Sequence, residues 1–395
     1  MRDNNLQLVT NLRHELHAHP EISGQEVETK RRLISFLAEH TSFVIHDEGS
    51  WFWVKVPGTD SAQPSIGFRA DYDALPIPED LDLPYASQNP GVSHKCGHDG
   101  HSSALAGLAL ELEGRDLPSD VYLIFQPAEE TGAGGFPTSR LIEREAIDQI
   151  YAFHNWSGIP RGCVALKRGV SQCASQGLSL EFKGITTHAS NPEAGLNPSE
   201  AVAQLVLYVM DLAGVARLGN RHSCFEGFVL ATVVGIEVGR KDFGISASHG
   251  ELNLTLRAEN ESDLTKLKSL ICDEASRLAK QTSLLLSITD CDVFPETCND
   301  DEAIDRVAAA AKRAGLPVVY LEKPYRASED FGHYLKLASG AMVYIGNGQD
   351  WPPLHTSAYD FLDTNLQVAV DLWLSILGFV VPHVNLSAKV RLCVI

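Results

Sequence analysis

The octapeptide His94-Lys95-Cys96-Gly97-His98-Asp99-Gly100-His101 packs a thiol, three imidazoles and a carboxylate together, and no other Cys/His cluster occurs in the chain. Upstream lies Phe68-Arg69-Ala70-Asp71-Tyr72-Asp73-Ala74-Leu75-Pro76. Downstream, the apolar run Val121-Tyr122-Leu123-Ile124-Phe125 ends in Gln126-Pro127-Ala128-Glu129-Glu130. Soft and hard ligands at the ends of buried strands are what a catalytic metal site requires. The same segments decide the fold class. An uninterrupted apolar run predicts a strand covered on both faces, and the small apolar residues from Ser102 to Leu112 predict a buried helix directly behind the cluster. Alternating helices and apolar strands give an α/β layer structure.

The 395-residue chain is too long for one ordinary core, so two domains are expected. Its net charge of −19 argues against nucleic acid or an anionic membrane surface as partner. No apolar run approaches membrane-spanning length, and no apolar signal region precedes the first amphipathic helix. Eight cysteines scattered through a large chain read as reduced thiols rather than a disulfide framework, which points to a cytoplasmic protein.

Helical spacing covers residues 5–40 with a break at Pro20, followed by strands near 42–47, 51–56 and 65–70. From about 176 the order becomes β-α-β-β-α-β, that of a ferredoxin-like sandwich. The predicted organisation is an α/β catalytic domain (1–175 and 292–385) interrupted by an α+β insertion (176–291). The tail, 386–395, carries no assigned role.

In the cluster, Cys96 and His98 flank Gly97 in a turn where both side chains can reach one centre. An isolated pair would be a core Cys beside a surface His; the neighbouring His94, Asp99 and His101 favour metal. Adjacent Glu129 and Glu130 at a buried strand end repel one another unless a cation neutralises them. One Glu then binds metal and the other handles the proton of the attacking water. His154 and His355 each end an apolar segment. A lone His at such a place is more often structural, but Cys96, His98 and Glu130 need further ligands and these two are the suppliers. Asp71 and Asp73 are placed to orient a ligand. His188 is a donor to a developing oxyanion if the domains close.

Together these segments resemble the amidohydrolase branch of the two-metal aminoacylase/carboxypeptidase superfamily, which includes hippurate hydrolase and auxin-conjugate hydrolases. The resemblance is carried by Arg13-His14-Glu15-Leu16-His17 with Pro20-Glu21, Phe68 to Pro76, Cys96 to His101 and Pro127 to Glu130. It continues through Phe153-His154-Asn155, His188-Ala189, Ser328-Glu329-Asp330-Phe331 and Leu354-His355. It implies a two-metal aminopeptidase/carboxypeptidase-like catalytic domain with an inserted lid and dimerisation domain. It also implies metal ligands at Cys96, His98, Glu130, His154 and His355, with Glu129 as general base and His188 holding the scissile carbonyl. The cofactors implied are two divalent ions, Mn²⁺ or Zn²⁺, the substrate an N-acyl amino acid, and the assembly a homodimer through the lid. The chain departs from the family pattern at Phe243-Gly244-Ile245-Ser246-Ala247, where relatives carry an Asn-Val-Ile-Pro-like segment.

The competing activity is a dipeptidase or carboxypeptidase, which the same centre would serve. A zinc base deaminase needs a Cys-x-x-Cys pair, absent here. A non-catalytic scaffold with structural zinc would use several cysteines, whereas this set has one Cys and two carboxylates.

Overall fold

The computed structural model describes residues 1–60, 62–217 and 224–381; the predicted tail and Cys393 lie outside them. The chain divides into two compact units, one formed by Met1–Ser171, Thr297–Pro324 and Asp330–Ile395, the other by Gln172–Glu296 with Tyr325–Glu329.

The first unit is built on an eight-stranded sheet. Its strands are β1 (Ile45–Asp47), β2 (Phe52–Val56), β3 (Ile66–Asp71), β4 (Val121–Gln126), β5 (Gln149–Ser157), β6 (Val164–Leu166), β7 (Val318–Tyr320) and β8 (Ser339–Gly348). Their order is β1-β2-β4-β3-β5-β8-β6-β7. The four central strands β4, β3, β5 and β8 are mutually parallel, so their carboxyl ends open on one side. Every residue of β3 and β4 is buried, as continuous apolar runs in a doubly covered sheet demand.

The helix behind the cluster spans His98–Leu112 and is buried along its whole length. It packs on β3 and against the helices Asp3–Ala18 and Thr364–Ile376. The sequence predicts it from Ser102; it begins four residues earlier because Gly97 takes a left-handed turn (φ 96°) at its N-cap. A side chain there would strike Asn155 and Tyr359. His98, Asp99 and His101 are thus first-turn helical residues rather than members of a free turn. A second helix, Gly135–Glu145, follows the Gly-rich segment where none was predicted; Pro137 sits in its first turn, where a missing N–H costs nothing.

The second unit holds Ala174–Lys183, Val229–Val238, His249–Ala258 and Leu285–Phe294 in one antiparallel sheet. In space the order is second, third, first, fourth, with helices Ser199–Ala213 and Glu261–Gln281 packed on the sheet. Burial alternates strictly along His249–Ala258, the mark of a half-covered strand. Leu178, Leu180, Leu252 and Leu254 meet Leu205 and Leu267 in a core separate from that of the first unit. Cys96, Cys163, Cys173, Cys272 and Cys291 carry free thiols. No helix among the described residues is long and apolar enough to cross a membrane.

Candidate metal centre

The site assembles where the parallel strands end, the usual place for function in an open α/β sheet. Asp71 ends β3 and Asp73 follows it; Glu129 and Glu130 follow β4; His154 and Asn155 lie in the last part of β5; His355 comes from the loop after β8. The turn into helix His98–Leu112 supplies Cys96 and His98.

Two of the candidate ligand groups among these side chains share one atom. Cys96, His98 and His154 hold their ligand atoms within 4.8 Å of one another, and so do Cys96, Glu130 and His355. Cys96 Sγ is 3.4 Å from His154 Nε2 and 3.3 Å from His355 Nε2. Glu130 Oε1 lies 3.5 Å from His355 Nε2 and 3.8 Å from His98 Nε2. Glu129 Oε2 is 3.9 Å from His98 Nε2. The structure therefore brings together six of the seven predicted residues. His188 belongs to the second unit, where it lies exposed on Thr187–His188 with its Nδ1 2.7 Å from Ser190 Oγ.

Two of the imidazoles are aimed by their far nitrogens. His98 Nδ1 donates to Asp73 Oδ1 at 3.0 Å, and His154 Nδ1 to the Asn155 carbonyl at 2.7 Å, leaving both Nε2 atoms toward the centre. The positioning role expected near Asp71 and Asp73 is thus visible for Asp73 on His98. His101, despite its place in the cluster, has both nitrogens engaged. Nδ1 meets Asp71 at 2.7 Å and Nε2 accepts from the Asn155 main chain at 3.2 Å. It braces the end of β5. His355 has a left-handed backbone (φ 62°) and donates its N–H to the Lys95 carbonyl at 2.8 Å, which seats it over Cys96.

A cation fits this set. His98 Nε2 and Glu130 Oε1 are buried without hydrogen-bond partners, and such atoms inside a protein ask for an explanation. Burial opposes charge on His98, yet Asp71, Asp73 and Glu130 outweigh it and raise its pKa to about 10. Burial, followed by the charges of Glu130, Glu129 and Asp71, pushes the Cys96 thiol well above its ordinary value. Burial holds His154 neutral, with its lone pair available. A pocket with this much surplus carboxylate stabilises positive charge, and a divalent ion there would draw the Cys96 proton off.

A charge network invisible in the sequence pattern braces the turn. His17 Nδ1 bonds Asp99 and its Nε2 bonds Glu79, both at 2.8 Å, while Lys95 Nζ donates to Glu79 at 2.6 Å and to the Tyr359 carbonyl at 2.8 Å. Burial disfavours the His17 cation, but the two carboxylates raise its pKa to about 9. Unfolded histidine titrates near 6.5, so this stability is complete below that pH and is lost as pH rises through about 9; it amounts to at most about 3 kcal/mol. In the metal-free protein the melting temperature should fall from pH 6.5 to 9.5 in wild type and much less in His17→Gln. Equal slopes in the two proteins would remove His17 as the source.

A sheet with a parallel centre, carrying a buried thiol, imidazole and carboxylate set at its strand ends, defines a metallopeptidase-like hydrolase. The chain belongs to peptidase family M20/M25/M40, whose model matches residues 67–378, and it is a hydrolase acting on amide bonds. It is 31% identical to an N-acetyl-L-cysteine deacetylase of Bacillus subtilis, over 86% of this chain and 80% of that one. It is 29% identical to a hippurate hydrolase of Campylobacter jejuni, over 92% and 94%. A dinuclear metal-binding M20 peptidase of Bacillus subtilis shares the fold with a TM-score of 0.78 and 24% identity, covering 95% of this chain and 98% of that one.

Proposed function

We propose that the protein is a two-metal amidohydrolase that cleaves N-acyl amino acids to a carboxylate and a free amino acid. The observation that carries this reading is the shared Cys96 Sγ, common to two candidate ligand groups, with Glu129 beside them. Cys96, His98 and His154 would hold one divalent ion and Cys96, Glu130 and His355 the other, either Mn²⁺ or Zn²⁺. Two such ions, when bound, polarise the carbonyl and acidify water. Glu129 takes the proton of the attacking water and returns it to the leaving amine. His188 of the second unit is proposed to steady the oxyanion. The second unit serves as lid and dimerisation element, and the protein works in the cytoplasm. The deacetylase and hippurate hydrolase among its relatives support the substrate class.

The test is amino-group release from N-acetyl, N-benzoyl and N-indoleacetyl amino acids and from dipeptides, using chelator-stripped protein with and without Mn²⁺ or Zn²⁺. Metal-dependent release from acyl amino acids is expected. Release from dipeptides alone would move the assignment to a dipeptidase, and turnover that survives complete metal removal would end the metal mechanism.

A further inference from the structure

Glu26 is a buried carboxylate in the loop between helices Asp3–Ala18 and Val27–His40, and none of the chemistry above uses it. Its Oε1 accepts from two main-chain donors, the Gly24 N–H at 2.9 Å and the Ala128 N–H at 2.8 Å. Ala128 immediately precedes Glu129 and Glu130. It is left-handed (φ 52°), a backbone state that residues with a Cβ disfavour. Its carbonyl accepts from Ala133 and Gly134, each at 3.1 Å. The residue is thus gripped at both ends: by the following turn on its oxygen, and by Glu26 on its nitrogen.

The same N-terminal loop reaches the neighbouring carboxylate. Ser23 Oγ donates to Asp73 Oδ2 at 2.7 Å, and that oxygen also accepts the Glu130 N–H at 3.0 Å. The Ala74 N–H donates to the Glu21 carbonyl at 2.9 Å, so Glu21 to Glu26 runs stitched along the end of β3. A buried Glu accepting two N–H groups is ordinarily a local brace. Here the brace falls on a residue in an unfavoured conformation next to the proposed base, and truncating Glu26 leaves a buried donor unpaired at that point.

We propose that Glu26 is a positioning residue of the reaction, holding Ala128 in its left-handed state so that Glu129 and Glu130 leave the strand end in fixed directions. Burial, reinforced by the charge of Asp73, raises the Glu26 carboxyl to about 7. A neutral amide with the same acceptor oxygen is therefore a fair replacement. The kinetic part rests on the amide-hydrolysis reading above; the metal part stands without it.

The experiment compares Glu26→Ala, Glu26→Gln and the exposed neighbour Glu28→Ala with wild type, at saturating Co²⁺, on whichever N-acyl amino acid wild type cleaves best. Glu26→Ala should lose about 10- to 100-fold in kcat with KM changed less than about threefold, the range seen when a supporting partner of a site is removed. Glu26→Gln should keep at least a third of kcat, and Glu28→Ala should match wild type. Co²⁺ titration of the same proteins, followed by the thiolate charge-transfer band, should show about tenfold weaker binding in Glu26→Ala and recovery in Glu26→Gln. Near-normal kcat and Co²⁺ affinity in a folded Glu26→Ala protein would overturn the proposal, as would equal damage in Glu26→Gln. If wild type cleaves no acyl amino acid, the substrate reading fails and the Co²⁺ arm alone decides whether Glu26 positions the loop.

Discussion

Glu129→Gln should lower kcat by about two to four orders of magnitude while the protein keeps its full complement of metal. The magnitude is that of removing a general base placed on the reacting proton. Glutamine preserves the volume and the acceptor oxygen of a side chain that is almost fully buried, so packing and fold change little. None of the five proposed ligands is altered, so metal analysis should return the wild-type stoichiometry. What disappears is the basic lone pair 3.9 Å from His98 Nε2. A variant that turns over at near-wild-type kcat would show that the proton goes elsewhere, and Glu130 would then need the same test. Reduced kcat with lost metal would make Glu129 a ligand instead.

Cys96→Ala should be the more damaging change, because one sulfur serves both candidate groups. Removing His154 or His355 touches one group; removing Sγ removes a member of both groups proposed to hold an ion. Metal content is expected to fall below one ion per chain after desalting, with activity undetectable. Since bound ions stabilise only the folded state, the melting temperature should also stop responding to added Zn²⁺. Cys96→Ser, with a poorer donor, should bind weakly and lack the sulfur-to-Co²⁺ charge-transfer band. Two ions held with near-native affinity by Cys96→Ala would refute the shared-sulfur arrangement.

The strands that carry the site were legible because their physics is local. A continuous apolar run such as Val121–Phe125, closed by Gln-Pro, can be little but a buried strand, and chemistry at its carboxyl end follows. Cys96, His98, Glu129 and Glu130 stand out for the same reason. His154 and His355 were reached by counting ligands, and the folded chain does bring both to Cys96. His98 was singled out from the cluster for its place beside Gly97, but the geometry that turns it toward the centre could not be read. That geometry depends on the helix starting at His98, hence on the left-handed Gly97, and the sequence predicted a later start. The buried Lys95, the His17 network and the Glu26 brace were equally hidden. Each is a long-range contact whose residues look, in sequence, like ordinary solvated charges. The left-handed backbones of Ala128 and His355 left no trace either, since neither is glycine.

The sheet of the first unit also imposes a schedule on biosynthesis. β8 lies between β5 and β6 in space, but it is made last of the eight. A ribosome adding about 5–20 residues per second needs on the order of ten to thirty seconds to go from Ser171 to Ser339. Throughout that interval the newborn β5 offers one unpaired, apolar edge, the kind of template on which chains aggregate. Synonymous codon changes that slow the middle of the message should therefore lower soluble yield.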